Sequence, residues 1–400
     1  MTVYLDYNAT APMPDSVIDV VTSVMRETGN ASSVHLFGRK ARSHVESARR
    51  DVAALVGSKA RNVIFTGGGT EANNLALAGF LASGATRRLI VSATEHASVL
   101  QAAPGVEIAP VDAFGRIDMA ALEVLLTKDD GPALVSVMAA NNETGVLQPI
   151  SDIAMLAHSH GALLHSDFIQ AAGRIELDMI ALGVDLATVS AHKIGGPQGV
   201  GALIMGNNIL HDGIMREDWA LSPLIRGGGQ ERGHRAGTEN VAGIAGFGAA
   251  ARMARMAVQD SAAVERLRND LEKRAMEAAP DAVVIARVAA RLPNTSCLVM
   301  PGVKAETQIM GLDLAGVAVS AGSACSSGKV ESSHVLNAMG VAADIAECAI
   351  RVSLGGVTTR ADIDAFLAAW IVFIRRASKQ DATRQGGPRQ DGASGTMINA

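Results

Sequence analysis

The stretch "NVIFTGGGTEANNLALAGF", residues 62–80, changes its period halfway. Its first five residues end in a β-branched and aromatic run, the composition of a short buried strand. After three glycines, apolar residues recur at helical spacing through "EANNLALAGF". Strand, glycine turn and helix in that order are the start of an α/β unit. The same pattern repeats outward along the chain. Runs of strand character follow at "RLIVS" (88–92), "ALVSVM" (133–138), "ALLHSD" (162–167), "DLATVS" (185–190) and "VGALIM" (200–205), with helical segments between them. That alternation predicts an α/β domain with a largely parallel sheet. Around 255–278 a charged amphipathic helix is expected, with Val264, Leu267 and Leu271 on one face.

Composition narrows the function classes. The chain has 400 residues, 48% of them apolar, enough for a large core and more than one domain. A net charge of −5 offers no basic surface for nucleic acid. Three cysteines without a C-x-x-C pair argue against a disulfide framework or a cysteine-rich zinc site, and fit a reducing, cytoplasmic setting. The first residues lack the basic and apolar regions of a signal peptide. The most apolar stretch, "VAGIAGFGAAARMARMAV" (241–258), is broken by Arg252 and Arg255 and reads as too polar and short for a membrane span. The last residues, from 379 to 400, have no apolar periodicity and are expected to be disordered.

Polar residues gather where the strands end. "GGGTEANN" follows the first run, "ATEH" the second and "NNETG" the third, while Asp167 closes the fourth and "SAHK" the fifth. Ligands of open α/β sheets bind outside the carboxyl ends of their strands, so these five segments predict one site. The glycine turn opening a helix suits a phosphate, although an ordinary turn would look the same. It also matches a G-x-G-x-x-A dinucleotide fingerprint with Glu95 downstream, a rival that leaves the other segments without a role. Lys193, just after an apolar strand, could carry a desolvated, nucleophilic amine, or could extend to solvent. Asp167 could face a cationic ring nitrogen, or cap the helix that follows. His96 could stack on a flat ring and shuttle protons, or merely pack.

The chain resembles the cysteine desulfurases, pyridoxal-phosphate enzymes with the aspartate-aminotransferase fold. The resemblance runs from "YLDYNATAP" near the N-terminus to "IRVSLGGVTT" near residue 359. It includes "GNASSVHLFGRKAR", "FTGGGTEANNLAL", "ATEHASVL", "VMAANNETGVLQPI", "SAHKIGGPQGVGAL", "RGGGQERGHRAGTEN" and "SAGSACSSG". It implies a PLP fold type I chain, an α/β protein whose large domain (16–255) has a mostly parallel seven-stranded sheet. A smaller α+β domain would comprise 1–15 and 256–378. Lys193 would hold pyridoxal 5'-phosphate covalently, His96 would stack on its ring, Asp167 would pair with the pyridine nitrogen and Gln170 would bond the phenolic oxygen. Gly69, Thr70, Ser190 and His192 would bind the phosphate, and Thr238 would reach the phosphate of the other subunit in a homodimer. Asn142, next to the cofactor, and Arg351 would orient the carboxylate of the substrate, L-cysteine.

Cys325 stands among small residues in "VSAGSACSSGKVE", where nothing bulky could pack against it. The resemblance gives it a role: its thiolate would take the substrate sulfur as a persulfide and carry it to an iron–sulfur scaffold or another acceptor protein. No resident metal is expected, beyond a transient iron–sulfur contact through Cys325. Cys297 and Cys348 lie in apolar runs and read as core. Two positions depart from the family pattern: Ser332 stands where a proline is usual, and "IGGPQG" replaces a more aromatic or basic sequence after the lysine. The wording around Cys325 leans toward the nitrogen-fixation type over the housekeeping iron–sulfur or tRNA-thiolation types. An aminotransferase, a selenocysteine lyase and a non-catalytic assembly scaffold are the competing readings.

Overall fold

The computed structural model describes residues 2–128, 131–211, 214–215, 220–322 and 333–384. Seven strands form the main sheet: β1 (Val63–Thr66), β2 (Arg88–Ser92), β3 (Glu107–Ala109), β4 (Ala133–Ser136), β5 (Leu163–Asp167), β6 (Leu186–Ser190) and β7 (Gly201–Met205). Their order is β1-β7-β6-β5-β4-β2-β3. All pairs are parallel except those of β7, which runs antiparallel to both β1 and β6. The mostly parallel seven-stranded sheet is as expected; β3 has no counterpart among the strands read from the sequence, and the sequence assigns β7 no direction.

Continuous apolar runs in these strands follow from burial on both faces. Ile90, Val135, Leu164, Ala187, Val189, Ala202 and Ile204 enter one core. Their neighbours Leu89, Val91, Leu134, Leu163, Leu186, Leu203 and Met205 enter the other, against the helix Gly69–Ser83. Each one-residue step along the inner strands therefore changes core, and only the edge strand β3, with Ile108 exposed, turns a side chain to solvent.

The helices Val241–Ala257 and Ser261–Ala278 are joined by a short 3-10 turn. By length and composition alone the stretch Val241–Ala278 could cross a bilayer, which the sequence reading does not allow; 56% of its apolar window is buried within the protein. Its glycines allow close crossing. A Cβ at Gly248 would lie 2.5 Å from Ala48 Cα in the helix Leu36–Leu55.

A second sheet is antiparallel throughout, in the order Val283–Val284, Thr295–Val299, Ala349–Ser353, Ser320–Ala321. The helix Arg360–Arg384 lays Ile363, Phe366, Leu367 and Trp370, all fully or nearly buried, into the core beside it. Those positions share one helical face. This helix reaches into the stretch expected to be disordered; residues 385–400 lie outside the described residues. At the other end of the chain Val3–Tyr4 pairs in parallel with Val317–Ala318, so Val3 and Leu5 join the same core. The following residues, 6–9, thereby run between the two sheets. That path decides the site.

Candidate active site

Strand ends bring the polar segments together as expected. Between β1 and the helix Gly69–Ser83, Gly68 takes φ +154°, and its carbonyl accepts from the Ala72 amide and the Thr66 hydroxyl. A Cβ at Gly69 would lie 2.3 Å from Ile169 Cδ1, and one at Gly201 would lie 2.5 Å from the Gly68 carbonyl carbon. Glycine is therefore needed at 201, where the backbone of the turn leaves no room, while at 69 a side chain would have to displace the end of Ile169. Gly67, Gly68, Gly69, Thr70, Ser190 and His192 line an open cleft of about 780 Å³. Thr238 is not brought into it: together with Phe65 and Arg235 it lines a separate cavity of about 120 Å³, which shares Gly67 and Gly199 with the cleft.

Asp167 ends β5 and is 5% exposed. Its Oδ2 accepts from Asn73 Nδ2 at 2.8 Å and its Oδ1 from the Ile169 amide at 2.8 Å. Burial raises this carboxyl above its usual range, against the two hydrogen bonds and the attraction of His96 and Lys193. Asn73 also accepts from Thr188 Oγ1 (2.6 Å) and donates to Ser98 Oγ (2.9 Å), and the Ser98 hydroxyl meets His96 Nδ1 at 2.8 Å. Because His96 Nδ1 also accepts from the Ser98 amide, the neutral ring carries its proton on Nε2. Burial lowers the His96 pKa, so the ring is neutral near pH 7.

The one-turn helix Ala191–Lys193 follows β6. Lys193 Nζ donates to the carbonyls of Asn8 (2.7 Å) and Ala9 (2.8 Å). Burial, Arg351 and Arg174 push its amine from the usual 10.5 down to about 8, against the attraction of Asp167 and Asp6. His192 is pushed down to about 4 by burial and by Lys193. Gln170 lies close by, its Nε2 donating to the same Asn8 carbonyl at 3.0 Å.

Arg351 comes from the strand Ala349–Ser353 of the second sheet. It pairs with Asp6 at 2.9 Å and donates to the carbonyl of Asn142 at 3.0 Å, while its Nε has no partner among the described residues. Among the described residues the hydrogen bonds of Asn142 are through that backbone carbonyl, which also accepts from Asn8 Nδ2. Asn8 itself is fully buried. Its side chain takes a bond from Asn294 and gives one to Thr295, and its amide donates to Ser353. One asparagine thus joins Lys193 and Gln170 on one side to the Arg351 strand on the other.

Cys325 and Ser332 lie outside the described residues. The described flanks lie beside Asn142: Ser333 Oγ donates to Glu143 at 2.5 Å, and His334 meets the Glu95 carbonyl at 2.9 Å. Cys297 and Cys348 are core residues, and burial pushes the Cys297 thiol up to about 12. Glu95 is fully enclosed, with Oε1 on the Met138 amide, and is not placed to reach a ribose.

These residues fit pyridoxal phosphate. The lysine amine is available near neutral pH, and Asp167 is a buried carboxylate with no ion pair among the described residues. Next to both, the glycine turn leaves the space and backbone a phosphate needs. Sequence reasoning missed Asn73, Ser98, Asn8 and Arg174. Asn73 gave a signal, a polar residue within the apolar run of a helix; the others did not.

The aminotransferase class-V family matches residues 3–366. A protein of Cereibacter sphaeroides named cysteine desulfurase is 43% identical, over 91% of this chain and 94% of its own length. Cysteine desulfurase IscS of Dictyoglomus turgidum is 40% identical, over 90% and 92%. Among solved structures, a NifS-like protein from Rickettsia africae superposes with a TM-score of 0.85 at 36% identity, covering 94% of this chain and 100% of that one.

Proposed function

The chain belongs to the aminotransferase class-V family and is a pyridoxal-phosphate-dependent cysteine desulfurase, and from that premise we propose that Cys325 is the residue that receives the sulfur of L-cysteine. The observation that carries the reading is the meeting of Lys193 and Arg351 on the chain segment 6–9, with Asp167 facing Lys193: an amine, a guanidinium and a carboxylate in one site.

When bound, the cofactor supplies an electron sink for negative charge at the substrate Cα. Lys193 would hold it covalently and, once freed as a neutral amine, would accept the Cα proton; an amine at about 8 does this far more readily than one at 10.5. Asp167, fixed by Asn73, would keep a proton on the pyridine nitrogen. His96 would lie against the ring and offer Nε2–H. Gln170 would donate to the phenolic oxygen, and Gly69, Thr70, Ser190 and His192 would hold the phosphate. Arg351, steadied by Asp6 and by Asn142, takes the substrate carboxylate.

The Cys325 thiolate then attacks the substrate sulfur. An S–S bond forms as the C–S bond breaks, and the electron pair left on carbon takes a proton, releasing L-alanine. No external oxidant is needed. The sulfur leaves for an acceptor thiol, in our reading an iron–sulfur scaffold of the nitrogen-fixation type, in the cytoplasm. The working unit is a homodimer in which Thr238 serves the partner's phosphate, in keeping with its place outside its own cleft. Lys193→Ala tests the reading: loss of the covalently held cofactor and of alanine formation supports it, and undiminished turnover would end it.

A further inference from the structure

Arg174 has no part in the chemistry described above, yet it touches two of the segments that build the site. Its Nη1 donates to Gln170 O at 2.5 Å and to Gln170 Oε1 at 2.6 Å, and its Nη2 donates to the Tyr7 carbonyl at 3.2 Å. All three acceptors are neutral. Among the described residues no carboxylate pairs with Arg174, and the charges that face it are the cations Arg351 and Lys193. A guanidinium can only donate, so the amide atom of Gln170 turned toward it has to be oxygen. The other end of the amide meets the carbonyl of Asn8 at 3.0 Å, which can only accept, so that atom has to be nitrogen. Both neighbours impose the same orientation. The Gln170 NH2 group uses one hydrogen on Asn8 and keeps the second.

We propose that Arg174 is a positioning residue: it fixes the Gln170 amide with its NH2 end toward the phenolic oxygen of bound pyridoxal phosphate, and sets an uncompensated positive charge beside Lys193. The inference rests on the assignment of Gln170 to the phenolic oxygen. Both effects favour the deprotonated cofactor, one by a hydrogen bond to the phenolate and the other by its charge. The other titratable groups around Lys193 are Asp6, His96, Asp167, His192 and Arg351, none of which the variants below alter.

The test loads Arg174→Met, Arg174→Lys and Gln170→Ala with pyridoxal phosphate. It reads the pH midpoint of the cofactor's visible absorbance and the cofactor's dissociation constant. Gln170→Ala is expected to raise the midpoint. Arg174→Met is expected to raise it by about one unit, the size of effect a single nearby charge has, and to weaken cofactor binding. Arg174→Lys keeps the charge but not the forked grip, so its midpoint falls between wild type and Arg174→Met. If Arg174→Met does not accumulate as folded protein, Arg174→Lys carries the test by the same midpoint. A shifted Gln170→Ala with both Arg174 variants titrating as wild type overturns the Arg174 inference and leaves the Gln170 reading intact. A Gln170→Ala midpoint equal to wild type removes the Gln170 reading and the orientation claim with it.

Discussion

Lys193 in the cofactor-free protein should capture pyridoxal phosphate with a pH dependence centred near 8. With its amine pushed to about 8, about one molecule in ten carries a neutral lysine at pH 7. At the usual 10.5 the fraction would be about three in ten thousand, so the site gains about 300-fold in reactive amine. Burial is the largest cause, followed by Arg351 and Arg174. The assay strips the cofactor, adds it back from about pH 6 to about pH 10, and follows the absorbance of the covalent form. Capture should accelerate with pH and level off above about 8. Asp167→Asn should move the midpoint lower, because that carboxylate's charge opposes the depression. His96 and His192 lose their protons at lower pH, and Tyr4 and Tyr7 are raised above their usual 10 by burial; Arg174, pushed down to about 9 by burial and Arg351, titrates in the upper part of the window, above the Lys193 midpoint. The same shift has a consequence for stability. The folded value lies below the unfolded one, so between about 8 and 10.5 the unfolded chain binds more protons at this residue. Its contribution to stability therefore grows as pH rises through that window. A capture rate still climbing tenfold per pH unit at about pH 10 would refute the reasoning, since it would give Lys193 an ordinary amine.

Asn73→Leu should lower stability by about 2–3 kcal/mol in chemical denaturation, because it strips donors from buried Asp167 and Ser98 and an acceptor from Thr188. The same variant should bind the cofactor more weakly in equilibrium dialysis, since Asp167 loses the bond that favours its ionised form. Gly201→Ala should cost about 1–3 kcal/mol and loosen the cofactor, as the added Cβ meets the backbone of Gly68, which cannot rotate away. Thermal melts with and without cofactor check both effects. Glu231→Ala should cost about 3 kcal/mol in urea unfolding: Arg49 and Glu231 form a buried pair at 2.7 Å, and the change leaves enclosed Arg49 with only the half-exposed Glu46 and the Val63 carbonyl and strips the acceptor from the Phe65 amide.

The strands β1, β2, β4, β5 and β6 were legible because each is a short apolar run bounded by polar residues or glycine. β3 was not, being three residues long at the edge of the sheet, with Ile108 exposed. Nor could the direction of β7 be read, because an apolar run looks the same parallel or antiparallel. What sets the direction is the turn after Lys193, too tight for the crossover that a parallel neighbour needs. Lys193, Asp167 and His96 stood out in the sequence because polar residues that end buried strands need a reason. Asn8 and Arg174 gave no such sign. The partners of Asn8 lie more than a hundred residues away, and Arg174 joins Gln170, one helical turn back, to the distant Tyr7 carbonyl, a link that a polar pair in the sequence does not reveal.

The central claim, that Cys325 takes sulfur from cysteine on a pyridoxal-phosphate site, is tested most directly by trapping. The cofactor-loaded protein is mixed with L-cysteine, its thiols are alkylated at once, and its peptides are mapped by mass. The account predicts a persulfide on the peptide of Cys325, one alanine released for each sulfur retained, and a Cys325→Ala variant that keeps its cofactor absorbance but forms neither product. A persulfide on Cys297 or Cys348, or alanine formed by Cys325→Ala as fast as by wild type, would contradict it.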